Sequence, residues 1–159
     1  MRRLSRLVLL AFLITACSEQ DTGPVKVRWD RESCARCAMA VSDRNYSAQI
    51  RGGPAGKGTQ VYKFDDIGCA VIWLDQQAWK DEARTEIWVN DHRNGTWIDA
   101  RKAYYVTGKI TPMGYGLGAQ LEPVEEALGF AAASRHIYEI ETTTHKHKGG
   151  HMHPMAPGN

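Results

Sequence analysis

The chain has 159 residues, 43% of them hydrophobic and 24% charged, with a formal net charge of +2. Three of its 20 Lys and Arg fall in the first sixteen residues, which leaves 17 basic against 18 acidic groups and no basic surface of the kind nucleic acid needs. That remainder is long enough for one compact unit or two very small ones.

Arg2, Arg3 and Arg6 precede an apolar run over 7–14, far too short to span a hydrocarbon layer of roughly 30 Å. Leu13-Ile14-Thr15-Ala16-Cys17 resembles a bacterial lipobox. Residues 1–16 are therefore expected to be a signal peptide. Cys17 would be lipidated and become the new N-terminus of a periplasmic protein held by an acyl anchor, without a transmembrane helix. Residues 17–28 read as lipidated terminus and polar, turn-forming linker. Ser18, where aspartate would favour inner-membrane retention, places the outer membrane slightly ahead of the inner.

Further along, alternation over 25–29 suggests a short strand. Cys34-x-x-Cys37-x-Met39 reads as a turn leading into a strand. A second alternating stretch covers 46–51, a glycine-rich loop 52–58, and a strand 60–64. A helix is expected over 66–79 with Asp65 as its N-cap. Strand-like segments follow at 86–89, 97–100 and 102–107, then a glycine loop over 111–118. Pro123 suits the first turn of a second helix opening at 122–128. A strand over 137–140 closes the fold. The class is α+β, in two small consecutive ββαβ-type units over 29–95 and 96–141 whose likeness is one of pattern alone. Residues 142–159 hold four of the six histidines with Met152 and Met155. They lack the apolar content to pack and read as a flexible tail.

Once Cys17 is lipidated, three cysteines remain, an odd number that cannot close a disulfide framework. Cys34-x-x-Cys37 alone leaves disulfide, redox dithiol and metal site open. Met39 favours the metal, because thioether adds nothing to a disulfide, and thiolate with thioether selects Cu(I) over zinc. In extended chain, residues two apart share a side, so Cys37 and Met39 would face one ion. Met113, in the glycine loop, is the candidate third ligand. Cys34 ranks as auxiliary. Cys69, one turn inside an apolar helix, reads first as a buried small hydrophobe and second as a ligand. Asp65 and Asp66 read as helix caps, His92 and His136 as ordinary surface or loop residues, and Trp73, Trp79 and Trp88 as core. In the tail, His151, Met152 and His153 form a weaker metal site, since ordering that segment costs entropy. No residue is assigned a catalytic role.

Cys34-x-x-Cys37-Ala38-Met39, then Phe64-Asp65-Asp66-Ile67-Gly68-Cys69, then Thr111-Pro112-Met113-Gly114-Tyr115-Gly116 together resemble the NosL family, accessory lipoproteins of nitrous oxide reductase. The resemblance covers roughly residues 29 to 140. It implies a Cu(I) chaperone that delivers copper toward the reductase's copper centres with a membrane ABC-type assembly complex. It also implies two small similar α+β domains, similar to part of the organomercurial lyase fold. The family's copper ligands map onto Cys37 and Met39, with Met113 from the second unit. Some relatives lack the cysteine equivalent to Cys34, and Ala38 stands where glycine is frequent. Three other functions compete: a thiol–disulfide oxidoreductase using Cys34 and Cys37, lyase chemistry on an organometal, and a copper-sequestering lipoprotein centred on the tail.

Overall fold

The computed structural model describes residues 22–149, with side chains to Thr144. The signal segment, Cys17, and His151, Met152 and His153 lie outside the described residues. Short apolar runs between glycine-rich loops form six strands: β1 (Ala48–Gly52), β2 (Gln60–Phe64), β3 (Glu86–Asn90), β4 (Trp97–Asp99), β5 (Tyr104–Val106) and β6 (Gly118–Gln120). Among the described residues two helices, α1 (Ile67–Asp75) and α2 (Phe130–Gly149), complete the α+β fold. The first four strands form an antiparallel sheet in the order β2-β1-β3-β4, and β5 pairs antiparallel with β6.

β1 is buried along its whole length, so its polar residues need partners. The stretch expected as a strand at 25–29 supplies them, and it is not a strand. Val25 exchanges two hydrogen bonds with the Gln49 side-chain amide, at 2.9 and 2.8 Å, and Gly23 C=O accepts from Arg51 Nε at 2.9 Å. A side-chain amide thus replaces a strand ladder. On the sheet, α1 packs against β1 and β2, closing a core that includes Ile50, Phe64, Ile72, Ile87 and Val89.

Several boundaries differ from the sequence reading. Asp66 is the N-cap of α1, with extended backbone and its carboxylate accepting from Gly68 N; Asp65 sits one residue outside. The helix stops at Asp75 and turns return Trp79 to the core, where its ring stands over Gly52. β4, expected to open the second unit, instead pairs with β3 and completes the first sheet. The glycine loop ends in β6, whose small residues are fully covered. No helix opens at 122–128; Leu128 instead exchanges two backbone hydrogen bonds with Tyr105. The helix begins at Phe130 and runs through 137–140, the expected closing strand. Ala133 and Ile137, four apart, are both buried on one helical face, and that packing overrides the β-propensity of the isoleucines. The second unit is therefore β-β-α. The same helix continues to Gly149, into the stretch expected to be flexible from 142. A parallel bridge from Asp91 to Ala119, with Arg93 paired to both Asp91 and Glu122, joins the two sheets.

Candidate metal centre

The Cys-x-x-Cys segment folds as a tight turn. Cys34 N donates to Met39 C=O at 2.8 Å, and Ala38 N returns to Cys34 C=O at 3.0 Å. Closing the turn puts Ala38 in the left-handed region, φ 63°. Ala35 N bonds Lys63 C=O at 2.8 Å, and Glu32 pairs with the Lys63 ammonium at 2.8 Å, so the turn is docked along β2. β2 ends at Phe64, which delivers Asp65 to the same spot, and the first turn of α1 adds Cys69.

One ligand atom from each of Cys34, Cys37, Asp65 and Cys69 lies within 4.8 Å of all the others. Cys34, Asp65 and Cys69 are buried, while Cys37 is part-exposed and marks the opening. Cys37 Sγ lies 3.5 Å from each carboxylate oxygen of Asp65. Cys37 N donates to Cys34 Sγ at 3.5 Å.

The cluster shares its protons unevenly. A hydrogen bond from the Cys69 thiol, against the cost of burial, brings Cys34 down from 9.0 to about 4. The same bond is the main reason Cys69 is pushed far up, with burial adding to it. Burial raises Cys37 to about 11. Burial, then the hydrogen bond to Cys34, raises Asp65 to about 6. At neutral pH, then, the hydrogen-bonded Cys34–Cys69 pair shares one proton, drawn toward Cys69, and Cys37 keeps its own. An ion entering the site must displace these protons, because the thiolate is the ligand form. Three sulfurs and one harder carboxylate oxygen form a mainly soft donor set that suits Cu(I) or another thiophilic ion.

The ranking read from sequence changes in two respects. Cys34 and Cys69, placed as auxiliary, both stand in the cluster with Cys37, and Asp65, read as a cap, stands there too. Met39 is 51% exposed. The expectation that Cys37 and Met39 face one side rested on extended chain, and the left-handed Ala38 between them removes that basis. Met113 is part-buried against the core. Its N–H donates to Asp66 Oδ2 at 3.2 Å, while Asp66 Oδ1 caps α1, so one carboxylate ties the Met113 loop to the helix bearing Cys69. Gly114 and Gly116 take φ of 76° and 73°, as that loop's close turn requires.

Sequence reasoning missed a second layer of residues. Arg36 Nη1 donates to Tyr115 Oη at 3.1 Å and reaches Cys69 Sγ at 3.9 Å, and Arg36 Nη2 pairs with Glu141. Tyr115 donates in turn to Glu141. Gly68 is the seat of the Tyr115 ring; a Cβ there would lie 2.2 Å from it. Arg36 and Tyr115 stand inside two of the three recognised motifs, but Glu141 lies just beyond the segment 137–140 read as a strand and carried no signal. His92 bonds Gln120, and His136 bonds the Tyr115 carbonyl; neither joins the cluster.

Among the described residues no helix is long and apolar enough to cross a membrane. A family model described as NosL matches residues 24–138. Among solved structures, the chain is similar to the crystal structure of the copper chaperone NosL from Shewanella denitrificans. Identity is 15%, over 75% of this chain and 89% of that one, with a TM-score of 0.45. No curated protein matches.

Proposed function

The chain belongs to the NosL family, and on that premise we propose that it is a copper-binding chaperone whose cargo is Cu(I). The observation that supports this reading is the cluster of three cysteine sulfurs, with Cys34 and Cys69 buried and Cys37 part-exposed at its opening. Cu(I) suits two or three soft ligands, and a half-open site suits an ion that must leave again. Cys37 is the ligand at the opening. Met113, on the loop tied to Asp66, is the candidate thioether partner, and Met39, which the turn leaves exposed, would have to swing toward the opening to join it. Cys34 and Cys69 stand behind them. The protein works in the periplasm, tethered by lipid at Cys17. It hands copper toward the nitrous oxide reductase copper centres through a membrane ABC-type assembly complex.

The test is an anaerobic Cu(I) titration of the reduced protein against a chromophoric chelator. One tight site is expected, lost in Cys37→Ser, weakened in Met113→Ala and retained when the chain is cut after Thr142. Wild-type affinity in Cys37→Ser would end the ligand assignment, and loss of the site with the tail alone would favour a sequestering role. The closeness of Cys34 and Cys37 supports a second reading, thiol–disulfide exchange. Turnover of a disulfide substrate, abolished by Cys34→Ser, would establish it.

A further inference from the structure

The Arg36–Tyr115–Glu141 knot is more elaborate than a helix contact needs. Three distant segments meet in it: the Cys-x-x-Cys turn, the Met113 loop and α2. Arg36 is flanked on both sides, by the Tyr115 hydroxyl at one nitrogen and the Glu141 carboxylate at the other, and its side chain is 23% exposed. The nitrogen facing Tyr115 is the one that reaches Cys69 Sγ. The Tyr115 ring is itself packed directly on Gly68. Among the described residues, Arg36 is the one cation bonded to a sulfur of the cluster.

Charge explains why a cation belongs there. A monovalent ion held by two thiolates forms a complex of net charge −1, and by three, −2. The carboxylate of Asp65 adds to the same sign. Gathering that charge away from water is costly unless an opposite charge is held beside it. A guanidinium stays charged at any working pH and keeps its direction when its fork is occupied.

We infer that Arg36 is a positioning residue that holds its charge against Cys69, offsetting the negative charge of the metal–thiolate complex, with Tyr115 and Glu141 fixing its guanidinium in place. The inference rests on the proposed cargo for its sign and deepens it: the site is built for an anionic complex. It also gives Cys69 a ligand's role.

The test compares wild type, Arg36→Met and Arg36→Lys in the Cu(I) competition, with helix content and unfolding followed in parallel. Arg36→Met keeps most of the aliphatic stem and removes the charge; affinity should fall about tenfold or more at unchanged stoichiometry. Arg36→Lys restores the charge but cannot bridge Tyr115 and Glu141 as a fork does. Recovery to within about threefold of wild type is expected if charge is what matters. Wild-type affinity in Arg36→Met would overturn the inference. Equal weakness of both variants would overturn it too, since a mere clasp between α2 and the turn would be damaged alike by either. If wild type shows no tight Cu(I) site, the proposed function fails by itself. The same three proteins are then titrated with Cd(II), whose ultraviolet thiolate band reports on the same sulfurs, and the same ordering decides the role of Arg36.

Discussion

The Sγ of Cys37 lies 3.5 Å from both carboxylate oxygens of Asp65, an equidistant approach that places a thiol and a carboxylate on one potential ion. Asp65 is 1% exposed, and the surroundings that bury it also raise its carboxyl from 3.8 to about 6. Between those values the folded protein holds a proton that the unfolded chain has released. The Asp65 carboxyl therefore contributes stability to the metal-free protein that is present near pH 4 and lost as pH rises to about 6, a trend that the lowered Cys34 thiol opposes.

Asp65→Asn removes this penalty. Without metal, the variant should be more stable than wild type at pH 7, by at most about 3 kcal/mol, with the difference closing toward pH 4. Urea unfolding at the two pH values checks it. A variant less stable than wild type at pH 7 would show that the carboxylate is compensated after all.

Metal affinity should climb with pH. Cys37 stands at about 11 and Cys69 is pushed well up, so both hold protons at neutrality that an arriving ion must expel. A cargo bound through both thiolates should release about two protons, and one bound through Cys37 alone about one. Competition titrations at pH 6, 7 and 8 measure that slope. A flat response would mean that the protonated sulfurs are not ligands.

Ala38 closes the Cys34–Met39 turn at φ 63°, where a Cβ is unfavourable. Ala38→Gly should stabilise the protein by about 1 kcal/mol, the relief of strain exceeding the entropy lost by glycine. Thermal or urea unfolding would reveal it, and an unchanged or lowered midpoint would contradict the strain argument.

Gly68→Ala places a methyl group 2.2 Å from the Tyr115 ring. The ring must move, and with it the hydroxyl that holds Arg36 and Glu141. A loss of about 1–3 kcal/mol is expected from overpacking. Wild-type stability with an unchanged Tyr115 environment, read by aromatic-region NMR, would show that the seat is looser than its geometry.

Much was legible in the chain because it depends on neighbours in sequence. The α+β class, most of the strands in the first sheet and the start of α1 follow from short-range alternation and a capping acid. The soft donors at Cys34, Cys37, Met39 and Met113 are visible as residue types, whatever their placement. Where short-range cues conflict with packing, they fail. The isoleucines at 137 and 140 look like a strand, yet Ala133 and Ile137 bury one face of a helix. Residues 25–29 alternate, yet they satisfy Gln49 instead of a neighbouring strand.

The site divides along the same line. By itself, the sequence determined which atoms could bind a soft ion and which family the chain resembles, because motifs record chemistry and spacing. Only the tertiary structure decided that Cys69 and Asp65, at least 28 residues beyond Cys37, share its space, and that Arg36 is held there by a glutamate 105 residues away. Such meetings depend on where β2, α1 and α2 come to rest against one another. That arrangement is set by burial summed over the whole core, and no local run of residues encodes it.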